Sequence, residues 1–402
     1  MIDNCSGPPE ATQGPRPPEE GNRMIGKRKS SPALAGSLAS LLLLAACAGQ
    51  SAYIPMVGAN YRIPSDFKIV GYFPSWSGDP KTIRYRDLTH VCYAFASPTS
   101  DGGYAKIDNE DRLIDVVTRA HAERVKVLLS LGGGGAVDPD AFDTIAADPA
   151  LTAAFVENTM DLLARYCLDG IDMDWEFPGT ADAQDFANLM HALSERIHGA
   201  GRLLSVAVSA TNYHGKDCLD SVIDDVDFLN IMAYDDGYKV PGAQHSTYWF
   251  AKAAMDYWLD VRRVPPSKAI LGVPFYGRSL KNRHSISYSD VLESDPWASS
   301  SDVSSGFGYN GFDTLRAKAV NLARVRGGGI MIWQLNQDAE GSASLLNAIF
   351  DAIKEPVEPV SEEEPAPVVP EPIAPAPAAP NAPSVAAPAA PPVPAAPPAP
   401  AP

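Results

Sequence analysis

The stretch DGIDMDWEFPG, residues 169–179, places four carboxylates within eight positions, and three of them alternate with apolar residues. Alternation of this kind is typical of a β-strand, in which successive side chains point to opposite faces. Asp172 and Asp174 therefore share one face, and Glu176 continues that face just beyond the predicted strand end. Like charges that are held together away from water repel each other and favour proton uptake. We therefore expect these acids to have a chemical use.

The chain on both sides of this stretch repeats one rhythm, in which a short apolar run is followed by a longer amphipathic segment. The apolar runs are KIVGYFP (68–74), THVCYAFA (89–96), VKVLLSL (125–131), DGIDMDW (169–175), LLSVAVSA (203–210), DFLNIMAY (227–234), AILGVPF (269–275) and GIMIWQL (329–335). Apolar strands that alternate with helices indicate a parallel sheet covered on both faces. Eight such units predict an α/β fold of the (β/α)8 or TIM-barrel type, with its active site at the carboxyl ends of the strands. An open doubly wound sheet is the alternative, but no glycine-rich phosphate loop follows the first strand.

This fold places the three acids along the inside of the barrel, where they rise towards the rim that carries the active site. Asp172 lies deepest and next to Asp174, so we expect these two carboxyls to share one proton at neutral pH. Glu176 then has Asp174 as its neighbour, and the resulting rise of its pKa suits a general acid. Asp169 has the opposite parity and is expected to bind backbone amides near the strand start.

A solvated acidic loop and a metal site are the alternative interpretations of this stretch. No histidine lies nearby in the sequence, and few oxygen ligands occur at the other predicted strand ends. We therefore predict catalysis without a metal ion or another cofactor.

The acidic pattern resembles the signature D-x-x-D-x-D-x-E of glycoside hydrolase family 18, the chitinase family, through Asp169, Asp172, Asp174 and Glu176. Further matches stand at the ends of other predicted strands: GYFPSW, YAFA, SLGG (130–133), MAYD (232–235), YGR (276–278) and Trp333. The resemblance covers about residues 66–352 and implies a TIM barrel. Residues 279–312 are too few for the additional α+β domain that some members insert after the seventh strand, so we expect no sizeable insertion.

The resemblance implies a reaction in which the N-acetyl carbonyl of the substrate attacks its own anomeric carbon, with retention of configuration. Glu176 would protonate the glycosidic oxygen and then activate water. Asp174 would bind the acetamide N–H, and Asp172 would hold the proton that lets Asp174 rotate. Tyr234 would donate its hydroxyl to the acetamide oxygen, and Trp333 would form the floor of the pocket. The remaining residues expected to line the pocket are Met232, Asp235, Tyr72, Phe95, Tyr276 and Arg278.

Some of these residues have a simpler interpretation, since Met232, Phe95 and Tyr72 are equally consistent with ordinary barrel core. The sequence also departs from the family pattern at Gly134, where many members carry an aromatic residue after SLGG. This change removes a stacking wall near the cleavage point. A second departure lies at residues 236–237, where an aromatic residue or a histidine is common.

Three functions are consistent with the resemblance. The first is a chitinase that cleaves chitin or chitooligosaccharides. The second is a non-catalytic chitin-binding lectin, although such lectins usually lose the glutamate that Glu176 supplies here. The third is an N-acetylglucosaminidase that acts on peptidoglycan or on N-glycans. We expect a monomer, and the net charge of −17 argues against nucleic acid as a partner.

The amino-terminal region reads as an export signal. Residues 1–23 are interpreted as an extension outside the native protein, and residues 24–47 as a signal peptide with three basic residues before a short apolar stretch. Its end, LAAC, resembles the bacterial lipobox, so Cys47 is expected to carry lipid and to anchor a bacterial lipoprotein to the membrane of the cell envelope. Cleavage after Ala48, which would give a secreted protein, is the alternative.

The remaining boundaries follow from composition. Residues 48–65 are a linker, residues 66–352 the catalytic domain, and residues 353–402 a tail composed mainly of proline and alanine. Such a tail cannot build a core and favours an extended, disordered chain. It is expected to act as a spacer or as a solvated tail without a partner.

Overall fold

The structure, a computed structural model, describes residues 67–135, 138–237, 242–282 and 284–354. The predicted extension, the signal peptide with Cys47, the linker and the proline-rich tail lie outside the described residues, apart from the first residues after 352. Those predictions therefore stay predictions.

The strands of the described residues fall into a barrel and a small separate sheet. They are β1 (Lys68–Pro74), β2 (His90–Ala96), β3 (Lys126–Gly132), β4 (Gly170–Asp174), β5 (Leu203–Ser209), β6 (Phe228–Met232), β7 (Ala269–Pro274), β8 (Tyr276–Ser279), β9 (Ser285–Ser287), β10 (Val303–Ser304), β11 (Phe307–Gly308) and β12 (Gly329–Trp333). The closed barrel has the order β1-β12-β7-β6-β5-β4-β3-β2. All of its neighbouring strands are parallel, and β1 closes it by pairing with β12 from Lys68 opposite Gly329. The predicted (β/α)8 barrel is confirmed.

Helices cover the outside of the barrel. They are α1 (Glu110–Ala122), α2 (Ala141–Ala147), α3 (Pro149–Arg165), α4 (Ala183–Gly199), α5 (Asn212–Gly215), α6 (Asp220–Asp225), α7 (Tyr248–Asp256), α8 (Tyr288–Ser294), α9 (Phe312–Arg324) and α10 (Leu345–Lys354). The start of α3 shows how the sequence sets these boundaries, because Asp148 accepts hydrogen bonds from the first backbone amides and Pro149 occupies the first helical position. Across the described ranges, no helix combines the length and the apolar character that crossing a bilayer requires.

The alternation along β4 decides which side chains enter the barrel. Ile171 and Met173 are fully buried in the layer between strands and helices. Asp172 and Asp174 are buried on the opposite face, where Val70, Tyr72, Cys92, Ala94, Leu128, Phe228, Ile270 and Met331 form a separate cluster inside the barrel. The face assigned to the acids from the sequence is therefore the interior face.

The segment between β7 and α9 contains a small antiparallel sheet with the order β10-β11-β8-β9 and the short helix α8. The sequence suggested only a connecting stretch here, because strands of two to four residues are too short to show a period of two. The sheet is too small to be a domain, which agrees with the expected absence of a sizeable insertion. Its strand β8 brings Tyr276 and Arg278 to the barrel rim.

Candidate active site

Asp172 lies on the floor of the site and is saturated with hydrogen bonds. Its Oδ2 accepts from Tyr72 Oη at 2.6 Å and from Ser130 Oγ at 2.8 Å. Its Oδ1 accepts from Ser205 Oγ at 2.6 Å and from Asn230 Nδ2 at 3.1 Å. The four donors come from β1, β3, β5 and β6, and together they satisfy both carboxyl oxygens in a site without exposure to solvent.

Ser205 and Asn230 are part of this site and were not predicted. Ser130 was interpreted as a residue that shapes a turn, whereas its hydroxyl binds Asp172 directly. Strand register explains the contacts, since Ser130 and Ser205 lie opposite Asp172 on the two neighbouring strands. A lone polar residue within an otherwise apolar strand was the sequence signal that marked both new residues.

Asp174 differs from Asp172 in its surroundings. It is 3% exposed, and its Oδ1 has no hydrogen-bond partner among the described residues. Burial raises the pKa of Asp174 well above its usual range, and the nearby charges of Glu176 and Asp172 raise it further. The raised pKa favours the protonated form of Asp174 in this arrangement.

Glu176 follows β4 and is exposed to the cleft. The protein atoms around the cleft nevertheless desolvate its carboxyl and raise its pKa, while a hydrogen bond from the backbone of Gly134 opposes this rise and the charge of Asp235 adds to it. The sequence analysis named Asp174 as the neighbour that raises this pKa, so Asp235 is the contribution it missed. A carboxyl with a raised pKa keeps its proton closer to neutral pH, as a general acid requires.

Asp235 is itself held in its ionised form. Tyr276 Oη donates to its Oδ1 at 2.7 Å, and Arg278 binds both oxygens, with Nε 2.8 Å from Oδ1 and Nη2 2.5 Å from Oδ2. Burial works against ionisation, but the hydrogen bonds from Arg278 and Tyr276, together with the adjacent His245 ring, outweigh it and keep the pKa of Asp235 well below its usual range. The buried His245 was not predicted, because nothing in the sequence links it to a residue ten positions earlier.

Aromatic rings form a row from the floor of the cleft to its rim. The ring centroids of Tyr72 and Trp333 are 5.5 Å apart, and those of Trp333 and Phe95 are 5.7 Å apart in a stacked arrangement. Trp76 extends the row at 6.0 Å from Phe95 and is 55% exposed. Apolar rings of this kind can lie against the faces of sugar rings. Trp76 was not among the predicted residues, although its motif was noted.

A second aromatic group lines the cleft on the side of the loops that follow β4 and β5. Phe177 stacks on His214 with a centroid distance of 4.7 Å, and Tyr213 meets His214 edge-on at 4.5 Å. Tyr213 is 73% exposed. Asp217 joins the two loops below these rings, because it accepts hydrogen bonds from Thr180 Oγ1 and from Lys216 Nζ. None of these residues was predicted.

One cleft of about 1010 Å³ contains these groups. Its lining includes the following predicted site residues: Tyr72, Phe95, Asp174, Glu176, Met232, Tyr234, Asp235, Tyr276, Arg278 and Trp333. Asp172 lies beneath them. The sequence allowed Tyr72 to be either a pocket residue or part of the barrel core. The structure shows both, since Tyr72 lines the cleft and also packs in the barrel interior. Asp169 lies at the other end of β4, where it accepts a hydrogen bond from Val127 N at 2.8 Å, as its parity indicated.

Comparison with known proteins agrees with this description. The family model "Glycosyl hydrolases family 18" matches residues 68–338. Probable chitinase 10 of Drosophila melanogaster is 24% identical over 391 residues, which cover 76% of this chain and 17% of that protein. Probable chitinase 2 of the same organism is 30% identical over 262 residues, which cover 55% of this chain and 51% of that protein. The chain thus spans about half or less of the length of these two relatives.

A solved structure is also similar. The crystal structure of a chitinase from Bacteroides thetaiotaomicron is 26% identical, with a TM-score of 0.66, over 71% of this chain and 96% of that chain. The fold and the site define a TIM-barrel protein whose cleft carries aligned acids at the end of its fourth strand. The chain belongs to the glycosyl hydrolases of family 18, since the family model matches more than half of it.

Replacement of Asp235 by asparagine is expected to lower the pKa of Glu176. The change removes a negative charge that opposes ionisation of Glu176 and that partly neutralises Arg278, and both effects favour the carboxylate. Carbon-13 NMR titration of labelled glutamate side chains measures this pKa. The control is Asp236→Asn, which removes a charge at the adjacent exposed position. Equal shifts in both variants, or none in Asp235→Asn, would contradict the role given to Asp235.

Proposed function

We propose that this protein is a chitinase, which hydrolyses β-1,4-linked N-acetylglucosamine polymers with retention at the anomeric carbon. The observation that carries the proposal is the state of Asp174, whose buried Oδ1 has no partner among the described residues and lies in the same cleft as Glu176 and the ring of Trp333. An acetamide N–H is the donor that this oxygen lacks. The chitinase names of the relatives and of the Bacteroides structure support the same substrate.

In the first step, the acetamide oxygen of the substrate forms a bond to its own anomeric carbon while the glycosidic bond breaks. Glu176 gives its proton to the departing oxygen, and its raised pKa keeps that proton available. The oxazolinium ion that results is positively charged. This charge favours an ionised Asp174, so the proton of Asp174 passes to Asp172, and Asp174 accepts a hydrogen bond from the N–H of the ring.

In the second step, Glu176, now a carboxylate, takes a proton from water, and the water oxygen bonds to the anomeric carbon. The bond between the acetamide oxygen and that carbon breaks, which restores the acetamide and gives the retained product, and the proton returns from Asp172 to Asp174. Tyr234 is the donor to the acetamide oxygen, since it lines the cleft and its hydroxyl makes only a weak contact with Met331 Sδ, at 3.8 Å, among the described residues. Trp333 places an apolar face beneath the sugar.

The other functions are weaker candidates. A lectin does not need a carboxyl with a raised pKa, and Glu176 has one. Hydrolysis of peptidoglycan or of N-glycans uses the same chemistry on another substrate. Incubation of the purified protein with chitin oligomers, peptidoglycan and a glycoprotein distinguishes these substrates.

Replacement of Glu176 by glutamine is expected to lower kcat on a chitin oligomer by about 10²–10⁴-fold, because the amide has no proton to give. Binding of the oligomer should persist, since the shape of the side chain is nearly unchanged. Asp174→Asn should also be severe, because the intermediate loses a negative neighbour. Turnover assays with calorimetric binding provide the test, and Glu195→Gln on the outer face of α4 is the control. Near wild-type turnover in either active-site variant would refute the mechanism.

The shape of the cleft predicts where a polymer is cut. The small sheet after β7 contributes only Tyr276, Arg278 and Ser285 to the lining among the described residues, so one wall is low. A low wall admits a chain from the side, and we expect internal cleavage with early release of mixed oligomers. The measurement is a product time course on a soluble chitin derivative with viscosity recorded in parallel. Disaccharide as almost the sole early product, with little fall in viscosity, would contradict the open cleft.

We propose that the protein is a bacterial lipoprotein anchored through Cys47. The support is the lipobox-like LAAC after a basic and apolar leader. In a bacterial host, Cys47→Ala should move the protein from the detergent phase to the aqueous phase in a phase-partition assay. A wild type found only in the aqueous phase would instead favour cleavage after Ala48 and secretion.

A further inference from the structure

The peptide that precedes Trp76 is fixed by three hydrogen bonds. Ser75, 3% exposed at the end of β1, donates its N–H to Ala94 O at 2.6 Å. Its carbonyl oxygen accepts from Asn109 Nδ2 and from Arg112 Nη1, each at 2.7 Å. Both donors belong to the start of α1, and neither lines the cleft.

Asn109 makes this contact in place of a capping hydrogen bond to its own helix. It occupies the N-cap of α1, where an asparagine side chain usually accepts a hydrogen bond from the first backbone amides of the helix. Its side chain makes no such bond here, and its φ of 53° lies in the left-handed region. Tyr93 Oη fixes this turn by donating to the carbonyl oxygens of Asp108 and Asn109, each at 3.1 Å. A broken local preference that the surroundings maintain indicates a use elsewhere.

The segment that these hydrogen bonds hold presents the large ring of Trp76 to the cleft. Trp76 is 55% exposed and continues the row of Trp333 and Phe95 towards the rim. Beyond Trp76, Asn336 Nδ2 donates to Ser77 Oγ at 2.9 Å. The segment is therefore held through the Ser75 backbone before the tryptophan and through the Ser77 side chain after it, while the ring stays exposed. A ring carried by a segment that is already held loses less conformational freedom when a ligand stacks on it.

We propose that Asn109 and Arg112 are positioning residues, which hold Trp76 as a stacking wall for sugars bound away from the cleavage point. The proposal rests on the proposed chitinase function. A long oligomer reaches Trp76, which lies two ring spacings from the floor at Trp333. A short substrate that fills the floor alone does not reach it. The two residues should therefore affect the reaction only for long substrates.

The experiment compares kcat and KM on a chitin hexasaccharide and on a short chromogenic glycoside of the disaccharide. Asn109→Gly removes the side-chain amide and retains a residue that accepts positive φ. Arg112→Met removes the guanidinium and retains an apolar stem. Arg119→Met on the same helix is the matched control, because Arg119 pairs with Asp115 at the surface. Thermal unfolding of every variant is recorded alongside.

For Asn109→Gly and for Arg112→Met, we expect KM for the hexasaccharide to rise by about 3–10-fold at constant kcat, because the ring must be ordered on binding. The short glycoside should show no change, and Arg119→Met should match the wild type on both substrates. Trp76→Ala should give the same dependence on length. Addition of Asn109→Gly to Trp76→Ala should have no further effect, since the two changes act through one ring.

The remaining outcomes would contradict either the positioning role or the proposed function. Equal losses on both substrates, no loss on either, or additive losses in the double variant would overturn the positioning role while leaving the chitinase function intact. A wild type that cleaves neither substrate would overturn the proposed function and, with it, the positioning role.

Discussion

The site depends on one buried carboxylate. A charged group removed from water is costly unless hydrogen bonds compensate it, and Asp172 obtains four of them inside the barrel. Its donors Tyr72, Ser130, Ser205 and Asn230 stand on β1, β3, β5 and β6, of which only β5 and β6 are neighbours in the wall. Closure of the sheet in this register is what brings them together. The same closure therefore stabilises the fold and places this hydrogen-bonded carboxyl directly beneath the cleft.

The protonation of the remaining acids depends chiefly on burial, and the charges of neighbouring acids add to it. Asp174 and Glu176 both have raised pKa values, with burial as the largest cause in each. Two further acids stand on either side of them, Asp172 on the floor with its four hydrogen bonds and the ionised Asp235 at the rim. Asp235 is kept ionised by its contacts with Arg278, Tyr276 and His245. The positive charge of Arg278 therefore affects Glu176 indirectly, through the carboxylate of Asp235. Within this group, Asp235 holds its charge, whereas Asp174 and Glu176 can each hold a proton.

The sequence predicted what depends on periodicity. The alternation along β4 assigned Asp172 and Asp174 to the interior, and the run of apolar strands gave the barrel. Ser205 and Asn230 were visible as polar interruptions of apolar strands, although their common partner followed only from strand register. His245 and Asn109 could not be predicted, because the path of a loop or turn brings them to the site and no period in the sequence encodes that path. The small sheet after β7 could not be predicted either, because its strands are too short to show a recognisable alternation of side chains.

Backbone conformation separates residues that serve the cleft from residues that end helices. Seven residues other than glycine have positive φ within the described part of the chain. Arg124, Cys167, Arg263 and Arg326 follow the ends of helical segments, where a left-handed residue is ordinary, and Ser305 lies in the turn between β10 and β11. The two that remain are Asn109 and Asp235, and neither ends a helix. One holds the carbonyl before Trp76 and the other raises the pKa of Glu176, so the two left-handed residues that do not end helices both support the cleft.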